Sequence, residues 1–268
     1  MRATTRPDSR RIFLSTAEYG VVWSELGLGR MPYPLSVLSV GFRTEERAKV
    51  VAEAWESLAR QGLADGTRVD EGLADLLTLL AKPQVSVDVL GDIGEPLRAL
   101  AARDGDAAAV AVLTDAGLTL RAIHPSTLAS SLTALLPYAE SGPGHAFTFP
   151  HSVLQAALST DDDDEDDDVF FGGDQHDVLV RAGMSVGDAR MFAELVDARR
   201  QGGQFGINSR NRSRGGMVRE ATLVTWFDTA GGRYLVVRDH NWLSVTPTGT
   251  DRIATRIDQL LANASGDR

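Results

Sequence analysis

An unbroken run of eight carboxylates, Asp161–Asp168, is the densest cluster of metal-ligating side chains in this 268-residue chain. A calcium loop of the EF-hand type needs oxygen ligands at alternate positions, glycine at the sixth and glutamate at the twelfth. Counted from Asp161, the sixth position is Asp166 and the twelfth is Gly172. The run fails that pattern and reads as a solvated acidic linker over about 159–169, because like charges at this density repel and cannot pack. The histidines (His124, His145, His151, His176 and His240) are scattered, and none pairs at i, i+4 in a metalloprotease pattern. The absence of cysteine excludes disulfides, thiolate metal sites and a cysteine nucleophile. No Gly-x-Ser-x-Gly elbow occurs, and Gly27-Leu-Gly29 lacks the third glycine of a dinucleotide fingerprint and follows a helix. The expectation is a protein with no catalytic residue, no metal and no cofactor.

Charge narrows the partners. The net charge is −10, but outside the acidic run 29 acids face 27 bases. A chain without excess cations cannot displace counterions along a phosphate backbone, so a globally basic nucleic-acid binder is excluded and no nucleic-acid partner is expected. Arg210, Arg212 and Arg214 form a basic cluster at an expected hairpin tip, without the interleaved aromatics that stacking on bases requires. No stretch approaches the roughly eighteen apolar residues of a membrane span, and Met1–Arg11 lacks the apolar core of a signal peptide. The expected location is the cytoplasm.

The elements fall into two similar halves. Ser15 with Glu18 forms a capping box ahead of Tyr19, Val22, Trp23 and Leu26. Further helices are expected over about 44–61 and 70–80. Strands follow near 85–89, 96–102, 107–114 and 117–123, then His124-Pro125 and a helix carrying Leu128, Leu132, Leu135 and Leu136. A short helix is expected over 150–159. Beyond the linker, a helix with Phe192, Leu195 and Val196 precedes strands at about 203–209, 217–227, 233–238 and 242–246. Thr246-Pro247 then leads into a helix with Ile253, Ile257, Leu260 and Leu261. The fold class is α+β, a single domain over 1–268 with pseudo-two-fold halves at about 12–137 and 175–264. Each half reads helix, four strands, proline, helix.

The strands Thr222–Phe227 and Tyr234–Val237 are apolar on both faces. Either helices cover both faces, or part of one face is left for a protein partner. The expected partner-contacting residues are Phe205, Ile207, Val224, Trp226, Tyr234 and Val236, with Arg210, Arg212 and Arg214 beside them.

Several blocks, taken in order, resemble the EspG family, the secretion-associated chaperones of actinobacterial type VII (ESX) systems. The N-terminal blocks are Leu14-Ser-Thr-Ala-Glu-Tyr19, Leu26-Gly-Leu28, Pro32-Tyr-Pro-Leu35 and Arg60-Gln-Gly-Leu-Ala-Asp-Gly66, with the leucine-rich helix after it. The C-terminal ones are Gly203-Gln-Phe-Gly206, Trp226-Phe-Asp-Thr229 and Gly232-Arg-Tyr-Leu-Val-Val237. The resemblance implies a central antiparallel sheet flanked by helical bundles. It also implies a cytosolic, non-enzymatic chaperone that binds the end of a helical substrate heterodimer, of PE–PPE or WxG-like type, and keeps it soluble until export. It implies no membrane insertion and leaves room for a homodimer. The Asp161–Asp168 run lies outside the family pattern. The competing readings are a non-secretory protein-interaction adaptor and a hydrolase with a non-standard site, the latter requiring a deep pocket with convergent histidines or carboxylates.

Overall fold

A computed structural model of the chain describes residues 11–37, 44–153, 175–210 and 216–266. The acidic run, Arg212 and Arg214 lie outside the described residues. Of the helix expected over 150–159, residues 151–153 are described and are helical.

The helices are α1 (Thr16–Glu25), α2 (Thr44–Arg60), α3 (Glu71–Ala81), α4 (Leu128–Thr133), α5 (Gln175–Arg181), α6 (Val186–Asp197) and α7 (Thr250–Gly266). The strands are β1 (Ile12–Ser15), β2 (Ala64–Asp65), β3 (Arg68–Val69), β4 (Val85–Asp92), β5 (Pro96–Asp104), β6 (Ala107–Leu113), β7 (Gly117–Ala122) and β8 (Phe147–Pro150). They continue as β9 (Gln201–Arg210), β10 (Met217–Arg219), β11 (Val224–Thr229), β12 (Gly232–Asp239) and β13 (Trp242–Pro247). All but the small β2–β3 hairpin join one antiparallel sheet in the order β1-β7-β6-β5-β4-β9-β11-β12-β13-β8, with β10 paired to β9. That order reads the same outward from the β4–β9 seam in both directions. Each side is a meander, closed at its edge by a strand that precedes the meander in sequence.

Four of these features differ from the sequence expectation: the β2–β3 hairpin and α5 fall where no element is expected, as do two edge strands, and one strand is broken. The edge strands β1 and β8 lie where the sequence predicts none. Each is only four residues long, and its alternation becomes a strand only once β7 or β13 supplies the hydrogen bonds. The strand expected over 217–227 is broken: Arg219 pairs with Asn208 and Val224 with Phe205, so residues 220–223 bulge opposite two residues of β9.

The sheet has two faces, defined by its register. On the first, Val85, Val87, Val89, Ala99, Ala101, Phe205, Ile207, Val224, Trp226 and Leu235 meet α4 and α7 through Leu128, Leu132, Ile253 and Ile257. On the second, two bundles cover the flanks. Helices α1, α2 and α3 pack on β1, β5, β6 and β7 through Tyr19, Trp23, Leu58, Leu73 and Leu77. Helices α5 and α6 pack on β8, β11, β12 and β13 around Phe147, Phe149, Phe192, Phe227 and Leu243. The capping box is formed as expected: the Glu18 N–H donates to Ser15 Oγ at 3.3 Å and the Ser15 N–H to Glu18 Oε2 at 2.7 Å.

Tyr19 is fully buried, and its hydroxyl has no hydrogen-bond partner among the described residues. Burial raises its phenol pKa far above the ordinary tyrosine value. A raised folded pKa means that the unfolded chain ionises first. The stability this group contributes is therefore intact below about pH 10 and is lost as pH rises above it, by about 1.4 kcal/mol per pH unit. Tyr234, also raised by desolvation, acts with the same sign. Urea unfolding at pH 9 and pH 11 should show this fall, and Tyr19→Phe should reduce it while leaving stability at pH 7 unchanged or higher.

Candidate functional site

Register places each residue of the expected partner surface. Phe205, Ile207, Val224 and Trp226 point to the first face, where the helical cover leaves them without solvent exposure. Tyr234 points to the second face but lies beneath the 138–145 loop: its hydroxyl donates to Pro143 O at 2.8 Å, and a Cβ on Gly142 would fall 2.2 Å from its ring. These five residues are core, which corrects the surface role expected of them. A side chain with no exposed atom meets a partner only if the packing above it opens. Val236 is half-buried on the second face. Arg210 is exposed and donates through Nη2 to Lys82 O.

Among the described residues, the centre of the sheet is accessible on the second face, while exposed apolar residues also stand nearer its ends at Phe13 and Trp242. Among the described residues, the helices with extensive contact to β4 and β9 are α4 and α7, both on the first face. Between the two bundles, Arg98, Leu90, Gln204, Thr225 and Val236 stand side by side across β5, β4, β9, β11 and β12. All of them are half-buried. This row is the floor of a groove that runs across those strands. It is apolar at Leu90 and Val236 and polar between them. It also carries an unused donor: Arg98 Nε is buried without a partner among the described residues, while its Nη2 donates to Asp115 Oδ1 at 3.1 Å. An unpaired buried donor costs about 1–3 kcal/mol, so an acceptor brought to this floor would be favoured.

Beside the row sits an ionic cluster. Asp88 is buried on the second face and accepts from Asn208 Nδ2 at 2.8 Å and from Arg219 Nη1 and Nη2 at 2.7 and 2.9 Å. Those bonds raise the pKa of the Arg219 guanidinium, whose side chain is 38% exposed. Its carbon lies 5.8 Å from the centroid of the Tyr33 ring, which projects from the connection after α1 and is also exposed.

Of these groove residues sequence reading names Val236 and passes over the others, yet a signal for them is present. The alternation of Ser86 and Asp88 with valines in β4, and of Gln204, Gly206 and Asn208 with apolar residues in β9, marks a face that no helix needs to cover.

A separate cleft of about 470 Å³ opens between α1 and α2, lined by Gly20, Val21, Met31, Val51, Trp55 and Arg47 among others. Its lining includes serines but no histidine, so it offers no serine–histidine pair for nucleophilic chemistry. Among the described residues no group of three or more His, Asp or Glu side chains is placed to hold a metal, and no helix is long and apolar enough to cross a membrane.

No curated protein matches the chain in sequence. Among solved structures, the fold matches a chain in the complex of the Mycobacterium tuberculosis type VII secretion system chaperone EspG5 with the PE25–PPE41 dimer. The TM-score is 0.74 at 14% identity, and the match covers 94% of this chain and 96% of that one. At that identity the likeness is one of fold. The sequence pattern of the EspG family matches residues 15–259, which takes in both bundles and every strand of the sheet after the first, and the chain belongs to that family.

Proposed function

We propose that this protein is a cytoplasmic chaperone of a type VII secretion system, which binds the end of a helical PE–PPE-type substrate pair and holds it soluble before export. The carrying observation is the family membership over residues 15–259, supported by a fold shared along nearly its whole length with a chaperone solved in complex with a PE–PPE dimer. The central groove is the surface that fits the task. Its floor belongs to a sheet backed by α4 and α7, and a floor held in place from behind loses little entropy when it binds. Leu90 and Val236 give apolar contact for an apolar helical tip, and the polar residues between them match the backbone groups that a helix end leaves unpaired. The mechanism is reversible coverage of apolar surface and requires no catalytic residue.

Co-expression with a PE–PPE-type pair from the same genome tests this. The expected result is a stable three-chain complex on size exclusion. Leu90→Glu and Thr225→Glu should each weaken the complex about a hundredfold or more, since a carboxylate would be desolvated against an apolar partner. Both variants should melt near the parent's temperature. No complex with any such pair would overturn the function. Undiminished binding by both folded variants would overturn the groove as its site.

A further inference from the structure

Arg219 is built into the groove in a way that stability alone does not require. A partly exposed ion pair adds little to folding, and a well-packed apolar pair at a buried site is commonly as stable. Here the chain makes two concessions to keep the charged pair. The strand is broken after Arg219, with residues 220–223 bulged out, so that β10 ends level with Asn208. Position 206 is glycine: a Cβ there would lie 1.9 Å from Arg219 Nη2 and 2.2 Å from its Cζ, so the guanidinium lies flat on the strand only because that side chain is missing.

The result is an oriented donor. One edge of the fork is committed to Asp88, which also accepts from Asn208. The Tyr33 ring lies to one side. The remaining N–H groups of the fork have no acceptor among the described residues. Because Asp88 neutralises the charge, the pair does not act as a bare cation that would concentrate any anion. It presents fixed N–H dipoles, which favour a neutral or weakly negative oxygen held at a set position. The C-terminal end of a helix has that chemistry: its last four carbonyls lack intrahelical partners and carry the negative pole of the helix.

We propose that Arg219, positioned by Asp88, Gly206 and Tyr33, is the specificity-determining donor of the central groove, and that it recognises the free carbonyl oxygens at the C-terminal end of a helix in the partner's tip. This rests on the reading of the chain as a PE–PPE-type chaperone. It adds the orientation of the bound tip: a helix must end, and not begin, over Gly206.

The test measures affinity for a purified PE–PPE-type heterodimer that copurifies with the wild-type chain, using four variants. Arg219→Met should weaken binding about ten- to a hundredfold, the scale of a charge-assisted hydrogen bond. Gly206→Ala keeps the charge but displaces the fork and should have an effect in the same direction. Arg219→Lys keeps a cation for Asp88 without the planar fork and should restore the melting temperature more fully than the affinity. Asp88→Asn/Arg219→Met removes both charges, so that no carboxylate is left buried and unpaired. It should melt near the wild type and still bind as weakly as Arg219→Met. Wild-type affinity in Arg219→Met or in the double variant would overturn the proposal, the latter showing that Arg219 serves only to neutralise Asp88. Failure of the wild-type chain to hold any such heterodimer would overturn the functional reading, and this proposal with it.

Discussion

Arg233→Met is expected to destabilise the protein by about 3–5 kcal/mol, the usual consequence of removing one partner of a buried ion pair. Arg233 has no solvent exposure. Its Nε and Nη2 donate to both oxygens of Asp228 at 2.7 and 2.8 Å, its Nη1 to Thr250 Oγ1 at 2.8 Å, and its Nη2 also to Pro137 O at 2.8 Å. The guanidinium carbon sits 5.1 Å from the Trp226 ring centroid. Separate parts of the chain therefore meet on one side chain: the β11–β12 hairpin, the segment after α4 and the start of α7. Its backbone adds more, since Arg233 O accepts from Gly142 N and Thr248 N. Thermal and urea unfolding should show Tm lower by on the order of 10 °C. Asp228→Asn/Arg233→Met should recover part of the loss, because it no longer buries an unpaired carboxylate. A fall in Tm of under about 3 °C for the single variant would show that the clamp contributes little.

Trp226→Ala should be comparably severe, at about 3–5 kcal/mol, through lost burial and the cavity left between the sheet and α7. Among the described residues Trp226 is the largest side chain with no exposure, and it also covers one face of the Arg233 guanidinium. The neighbouring position provides the contrast. Thr225 lies one residue earlier on the same strand, points to the opposite face and is half-buried in the groove. Trp226→Ala should unfold easily and lose every function with the fold, whereas Thr225→Glu should keep its Tm and lose partner binding. Circular dichroism melts beside pull-downs of the two variants would separate these outcomes. Equal phenotypes would contradict the assignment of faces.

The contrast between Trp226 and Thr225 also marks how far the sequence is readable. Helix spacing in Tyr19, Val22 and Trp23, the Ser15–Glu18 box and the alternation of Val85, Val87 and Val89 are local properties, fixed by 3.6- and 2-residue periods and by capping chemistry. Those elements stand where the residues put them. The order of elements, with proline before α4 and near the start of α7, suggests matching halves, and the strand order is symmetrical about the β4–β9 seam. The broken strand at 220–223 and the edge strands are not legible, because a bulge and a four-residue strand have no period of their own.

The site is harder to read for a related reason. Apolar content in β9, β11 and β12 draws attention to Phe205, Ile207, Val224, Trp226 and Tyr234, the residues that α7 and the 138–145 loop cover. The more polar faces of β4 and β9 hold the open groove. The sequence by itself determined the family, most of the element types and, within the strands it marks, which residues share a face. Only the tertiary structure decided which face a helix covers, because α7 reaches β9 and β11 from far along the chain. It also brought Arg219 onto Asp88 across 131 residues. Periodicity acts over a few residues, whereas burial depends on what the rest of the chain places on top.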